Sequence, residues 1–221
     1  MAPPRVDPQN ATPAERNPVM KLYYSPGACS LSPHIVLCEA GIKFELVKAA
    51  LQTHTLADGS DYYQVTAKGQ VPLLELDDGT RLSEGPVIVQ YIADHAPGTG
   101  LAPAAGTMER YRLMEWLNFI TTELHKGFSP LFNPKMPQEA KEIFAARLKD
   151  KFGFVDKKLE RNDYLMGQQF SVADPYLFTM ALWAEGRGID ISGFGNLEAF
   201  RARMMARPAV QDAMKVEGLL K

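Results

Sequence analysis

The stretch Lys21-Leu22-Tyr23-Tyr24-Ser25-Pro26-Gly27-Ala28-Cys29-Ser30-Leu31-Ser32-Pro33 decides the fold. Its apolar and aromatic opening predicts a strand, Pro26-Gly27 a tight turn, and Ile35-Val36-Leu37-Cys38 the body of a helix. A strand that turns straight into a helix leaves Cys29 at the helix N-terminus. There the unpaired N–H groups and the positive end of the helix dipole favour a thiolate near neutral pH. The competing reading is a small buried residue without chemistry, because free cysteines are often buried. Cys38 lies further along the same helix, roughly 13 Å away at ~1.5 Å per residue, beyond the reach of a disulfide.

Working outward, Cys29-Ser30-Leu31-Ser32 keeps the spacing of a Cys-x-x-Cys pair with serine in the second place. That pattern suggests thiol chemistry whose second sulfur comes from outside the protein, for example from glutathione. The chain as a whole has 221 residues, a formal net charge of −2 and 46% hydrophobic residues, enough for a full core and for two domains. Two cysteines that cannot pair fit a reducing cytoplasm. Positive charge is dispersed and outnumbered by acid, so no nucleic-acid partner is expected, and no apolar run approaches the ~18 residues needed to span a membrane. His34, His54, His95 and His125 lack metal-ligand spacing, and no metal is expected. Residues 1–19, with five prolines among polar neighbours, have neither the apolar core of a signal peptide nor the periodicity of an element and are expected to form a flexible tail.

After the first helix, Gly41 is a C-cap candidate and Phe44-Glu45-Leu46-Val47 alternates like a second strand, parallel to the first by the crossover rule. Residues 52–68 are polar and read as a loop with one irregular helix. Gln70-Val71-Pro72-Leu73-Leu74-Glu75-Leu76, the turn Asp77-Asp78-Gly79-Thr80 and Arg81-Leu82-Ser83 predict a hairpin. A proline at the mouth of the strand suits an entry position. A cis Val71–Pro72 bond would let the Val71 N–H and C=O meet a peptide-like ligand in strand fashion; the plainer reading is a strand-initiating proline. Ser83 is the expected N-cap of the helix that follows, and Glu84 either complements the dipole of that helix or meets a ligand ammonium.

The Pro, Gly and Ala-rich segment 96–106 reads as an interdomain linker, beyond which strand patterns give way to helical ones. In the helix expected from Met108 to about Lys126, Leu113, Trp116, Leu117, Ile120 and Leu124 form a core stripe. Asn118, Thr122 and His125 align on another face, which is either solvated or turned to a cleft or subunit contact. A second long helix would bury Ile143, Phe144, Leu148, Phe152, Val155 and Leu159. Ser171 and Asp174 have the form of a capping box, assigned to folding, at the start of a central helix through Tyr176, Leu177, Met180 and Trp183. Asn196 and Arg207 open two shorter helices, and Glu217-Gly218-Leu219-Leu220 is expected to close over this domain.

Taken in order, Tyr24-Ser25-Pro26-Gly27-Ala28-Cys29-Ser30, Lys68-Gly69-Gln70-Val71-Pro72, Leu82-Ser83-Glu84-Gly85, Glu115-Trp116-Leu117-Asn118-Phe119, His125-Lys126-Gly127 and Ser171-Val172-Ala173-Asp174 resemble a bacterial beta-class glutathione S-transferase. The likeness runs from Met20 to near the C-terminus. It implies a thioredoxin-like βαβαββα N-terminal domain (20–95), the linker 96–106, and an all-helical bundle domain (107–221), in a homodimer. It also implies glutathione as co-substrate, with no tightly bound cofactor, and a glutathione site at Cys29, Gln70, Val71, Pro72, Glu84 and Gly85. Asn118 would come from the partner subunit, while Thr122 and His125 would border the thiol and the electrophile pocket. Tyr24 lies near the site without being its sole activator; with Cys29 and His125 it completes the expected catalytic set. His54 stands where relatives often carry a lysine for the glycyl carboxylate, and Gly85 stands for a serine.

The function implied is conjugation of glutathione to small hydrophobic electrophiles, in detoxification, with the thiol made anionic by the helix start, Cys29 and His125. Two alternatives are a thiol-disulfide transferase or peroxidase working through a Cys29 mixed disulfide, and a non-catalytic carrier of glutathione or hydrophobic ligands.

Overall fold

The structure, a computed structural model, describes residues 19–220. The expected flexible tail therefore lies almost wholly outside the described residues. The N-terminal part runs β1 (Met20–Tyr24), α1 (Leu31–Ala40), β2 (Phe44–Ala50), β3 (Thr55–Leu56), β4 (Leu73–Glu75), β5 (Arg81–Ser83) and α2 (Gly85–Asp94). The sheet order is β3-β2-β1-β4-β5, with β1 parallel to β2 and antiparallel to β4. Gly41 ends α1 in the left-handed conformation, at φ 64°. The second helix of the βαβαββα order is reduced to a single 3-10 turn, Tyr62–Gln64, preceded by the small strand β3. This polar segment has no apolar stripe to drive a longer helix onto the sheet, and the Asp61 carboxylate caps the turn through the Tyr63 N–H at 2.9 Å.

Alternation along β1 places Leu22 and Tyr23 on opposite faces of the sheet. Leu22 joins Ile35 of α1 and Ile88 of α2 in the main core; Tyr23 packs on the other face with Tyr62, Val71 and Leu73. Each such fully buried aliphatic side chain contributes about 2 kcal/mol. The main core continues without a break into the helical part, where α1 packs on the helices Ala173–Gly186 and Pro208–Val216.

That helical part comprises α3 (Met108–Phe119), α4 (Lys126–Phe132), α5 (Gln138–Leu159), α6 (Ala173–Gly186), α7 (Gly195–Met205) and α8 (Pro208–Val216). The helix expected to end near Lys126 instead runs on to Phe132, because residues Ile120–His125 form a π-helical segment joining α3 to α4. In α5 the expected stripe holds at Leu148, Phe152, Val155 and Leu159, but Ile143 faces solvent.

The Ser171–Asp174 box is tighter than expected and partly reversed. The buried Asp174 carboxylate accepts from the Ser171 N–H at 2.7 Å, the Ser171 hydroxyl at 2.9 Å and the Leu165 N–H at 2.9 Å. Ser171 Oγ thus donates to the carboxylate, and the Asp174 N–H bonds the Ser171 carbonyl. The segment after α8 closes on the sheet part as well: buried Glu217 accepts from the Gly27 N–H at 2.9 Å and lies 2.8 Å from His34 Nδ1.

Candidate active site

Between the two parts lies a cleft of about 840 Å³. One wall comes from the turns of the sheet part. Ser30 Oγ bonds both the N–H and the C=O of Ser25, at 3.2 Å each, closing the turn that carries Cys29. Gly27 sits in that turn at φ 69°, a conformation that suits glycine. Its two backbone groups are held from the helical part, the N–H by Glu217 and the C=O by Trp183 Nε1 at 2.8 Å. Across the cleft floor the Val71–Pro72 bond is cis, as the ligand-facing reading of that proline requires. The Val71 carbonyl, expected to face a ligand, accepts instead from the Cys29 thiol at 3.2 Å.

Helix α1 begins at Leu31 with Ser30 as its N-cap, so Cys29 stands one residue short of the cap. The thiolate expected there is not favoured. Burial pushes the Cys29 thiol up to about 12, the nearby Glu84 charge adds to this, and the backbone N–H groups of Cys29 and Ser30 offset only part. Cys29 is thus a neutral hydrogen-bond donor.

The N-cap of α2 is Glu84 and not Ser83, at a left-handed φ of 71°. This conformation aims the carboxylate into the cleft rim, where Lys68 Nζ donates to it at 2.6 Å and to Ser83 Oγ at 3.0 Å. His54, also left-handed at φ 53°, stacks on Tyr63 at 4.5 Å, and its buried Nδ1 has no hydrogen-bond partner. At Gly85 an added Cβ would meet only Pro72 Cγ, at 3.7 Å, so the position has room for a side chain.

The facing wall is aromatic and basic. His125 Nδ1 lies 2.6 Å from Tyr176 Oη, and the His125 ring meets Trp183 edge-on at 5.0 Å. Burial, followed by the adjacent Lys126 charge, lowers the His125 pKa to about 4, so the imidazole is neutral at physiological pH. Burial raises the Tyr176 phenol well above its usual range. Phe132 lies edge-on to Trp183 at 4.9 Å.

Of the residues the sequence puts forward, Cys29, His54, Gln70, Val71, Pro72, Glu84, Gly85 and His125 line this cleft. Tyr24, Asn118 and Thr122 do not. Tyr24 is buried at the end of β1 with its ring tilted against His34 at 6.2 Å, so its hydroxyl is not on the cleft wall of this chain. Asn118 and Thr122 remain exposed because the wider turn of the π-helical segment changes the phase of the helix between them and His125. Sequence reasoning missed Tyr176, Trp183, Phe132, Arg187 and Lys68 as cleft residues. A signal for two of them was present: Tyr176 and Trp183, each with a polar handle, recur at i and i+7 on an otherwise apolar helix.

Comparison with known families matches residues 18–94 to the glutathione S-transferase N-terminal domain and residues 119–208 to the C-terminal domain. The chain belongs to the glutathione S-transferase family. Among curated relatives of this transferase, glutathione S-transferase GstA of Escherichia coli O157:H7 is 48% identical over 90% of this chain and all of its own. Among solved structures, the ternary complex of BphK, a bacterial GST, is 54% identical with a TM-score of 0.88, covering 90% of this chain and 100% of that one. The beta-class transferase of Sphingomonas chungbukensis is 47% identical at TM-score 0.88, with coverages of 90% and 100%. A sphingomonad transferase complexed with glutathione is 46% identical at TM-score 0.87, with coverages of 90% and 99%. Like these proteins, this glutathione S-transferase joins a thioredoxin-like sheet domain to a helical one. Among its described residues no helix is long and apolar enough to cross a membrane, and no group of three His, Cys, Asp or Glu could hold a metal.

Proposed function

We propose that this transferase binds glutathione along the sheet-side wall and conjugates its thiol to a small hydrophobic electrophile held against His125, Tyr176, Trp183 and Phe132. The observation that carries the reading is the joining of two unlike walls in one cleft: hydrogen-bonding turns around Cys29 and cis-Pro72 opposite an aromatic face. The Val71 N–H, which has no partner among the described residues, meets the cysteinyl backbone of the tripeptide. Glu84 receives its ammonium, displacing Lys68, and Gln70 and Gly85 border the same end. His54 faces the glycyl carboxylate.

The Tyr176 hydroxyl, kept protonated, donates to His125 Nδ1. The neutral imidazole then presents Nε2–H to the thiolate, with the Lys126 charge nearby. Fixing that thiolate beside the electrophile lowers the barrier by orientation, and the thiolate sulfur forms the new bond as the leaving group departs with its electron pair.

A mixed disulfide on Cys29 is less favoured, because a thiol pushed up to about 12 is a poor nucleophile. A homodimer is supported by exposed Val87 on α2 with Met108, Tyr111 and Met114 on α3, an apolar face shared by packed helices. The exposure of Asn118 and Thr122, on and just beyond α3, supports a contribution to the partner's site. A cytoplasmic detoxifying role fits two unpaired cysteines and a greasy electrophile wall. The test is a panel of halogenated aromatic, epoxide and peroxide substrates assayed with and without glutathione, alongside calorimetric titration of the tripeptide. Glutathione-dependent conjugation is expected; saturable binding without turnover of any substrate would overturn the transfer mechanism.

A further inference from the structure

The aromatic wall of the cleft ends in a charge that the transfer reaction does not require. From His125 the contacts run to Trp183 at 5.0 Å and from Trp183 to Phe132 at 4.9 Å; the Arg187 guanidinium then lies over the Phe132 ring at 4.2 Å. Each step is about one ring wide, so the wall has a reacting end beside Cys29 and a cationic end at the mouth. Arg187 lines the cleft and has no carboxylate partner among the described residues, whereas Lys68, on the opposite rim, is neutralised by Glu84. Stacking on Phe132 restrains the guanidinium while leaving its N–H edge free, which is the geometry that takes a carboxylate in two parallel hydrogen bonds. Lys126, an exposed residue of the same lining that also has no ion-pair partner among the described residues, adds to the positive field.

We propose that Arg187 is a specificity-determining residue that favours planar electrophiles carrying a carboxylate at the end opposite the carbon attacked, a halogenated nitroaromatic acid being the simplest form. The proposal rests on the transferase reading and names its substrate class. In the step concerned, the thiolate lone pair forms the carbon–sulfur bond at the halogen-bearing carbon. The carbon–halogen pair leaves as halide, and the ring carboxylate stays ionised on Arg187 throughout. The aromatic body lies against Trp183 and Phe132. Because Arg187 is exposed, its attraction is screened by salt and its effect is moderate.

The matched probes are 4-chloro-3,5-dinitrobenzoate and its methyl ester, compared in the full-length protein and in Arg187→Gln. Comparing each substrate between the two proteins cancels its intrinsic reactivity. The expected result is a loss of about five- to tenfold in kcat/KM for the acid, carried by KM, with the ester within about twofold. Arg187→Lys should restore part of the loss, and raised salt should remove the advantage of the acid in the parent protein only. An equal loss on both substrates, or no change on either, would overturn the assignment. Calorimetric titration with 3,5-dinitrobenzoate, which has no leaving group, separates the two readings. Arg187-dependent binding without turnover of any electrophile sinks the transferase mechanism and keeps the anion site. Turnover indifferent to Arg187 does the reverse.

Discussion

The two walls of the cleft are built on opposite plans. The sheet-side wall is drawn mostly from short contiguous stretches, 25–29, 68–72 and 83–86, that combine turn conformations and backbone groups with a few polar side chains; the helical wall is dominated by the larger side chains of His125, Phe132, Tyr176, Trp183 and Arg187, brought together from distant turns. Backbone atoms offer the same donors and acceptors whatever the residue, so a wall that relies on them beside a few polar side chains such as Glu84 suits a constant ligand. Side-chain rings change size and polarity with each substitution, so the other wall suits a variable one. The contrast matches the two partners proposed, an invariant tripeptide and a changing electrophile.

Removing the support of the helical wall should have the largest effect. Asp174→Ala leaves three buried donors at the start of α6 unpaired, and a loss of about 3 to 5 kcal/mol in urea unfolding is expected. The same carboxyl, raised to about 6 mainly by burial, holds its proton more tightly folded than unfolded. Its contribution therefore destabilises progressively as pH rises from about 4 to about 6. His125, lowered to about 4, acts with the opposite sign: the unfolded chain takes up the proton first, so stability is gained between pH 4 and about 6.5. The difference in unfolding free energy between the parent and Asp174→Asn should fall with pH across that window, and the difference between the parent and His125→Gln should rise. Parallel curves in either case would remove the assigned pKa.

On the sheet-side wall, Gly69→Ala is the corresponding break. Its Cβ would lie 2.5 Å from Tyr63 Cε1 and 2.8 Å from His54 Nδ1, at φ 58°. A destabilisation of about 2 kcal/mol is expected, with loss of glutathione binding measured by calorimetry. Glu84→Gln should sharpen the contrast by raising the glutathione KM about tenfold while leaving kcat and the electrophile KM unchanged. His125→Ala should do the opposite, lowering kcat several-fold and raising the pH at which the bound thiolate absorbs in the ultraviolet, with His125→Gln recovering part. Smallest of all, Gly85→Ser adds a hydroxyl where there is room, and a glutathione KM lowered two- to threefold is expected.

Much of the sheet-side wall was legible because local chemistry fixes it. Pro26-Gly27 and Val71-Pro72 each force a turn within a few residues, and hairpin and crossover rules then pair β4 with β5 and β1 with β2. The ionisation of Cys29 is not legible locally: a helix start argues for a thiolate, and the burial that pushes the thiol up exists only once the chain has packed. The stripe of Asn118, Thr122 and His125 divides for a comparable reason: the π-helical turn, which carries no sequence mark, turns His125 to the cleft of its own chain and leaves Asn118 and Thr122 exposed. The sequence pattern sets Glu217 over its own domain, yet its carboxylate reaches back to Gly27, a pairing that no spacing rule spans.

What this chain's residues determined unaided was the strand, turn and helix around Cys29, the pairing of Ser171 with Asp174, and the change from mixed to helical character near residue 100. Those features depend on steric limits and hydrogen bonds between near neighbours, which are the same in any surroundings. The tertiary structure alone decided which rings face the thiol, which ionisable groups lose water, and that Trp183 and Glu217 hold the Gly27 peptide from across the molecule. Those outcomes follow from the packing of distant segments, because desolvation and side-chain convergence have no value until the chain has closed on itself.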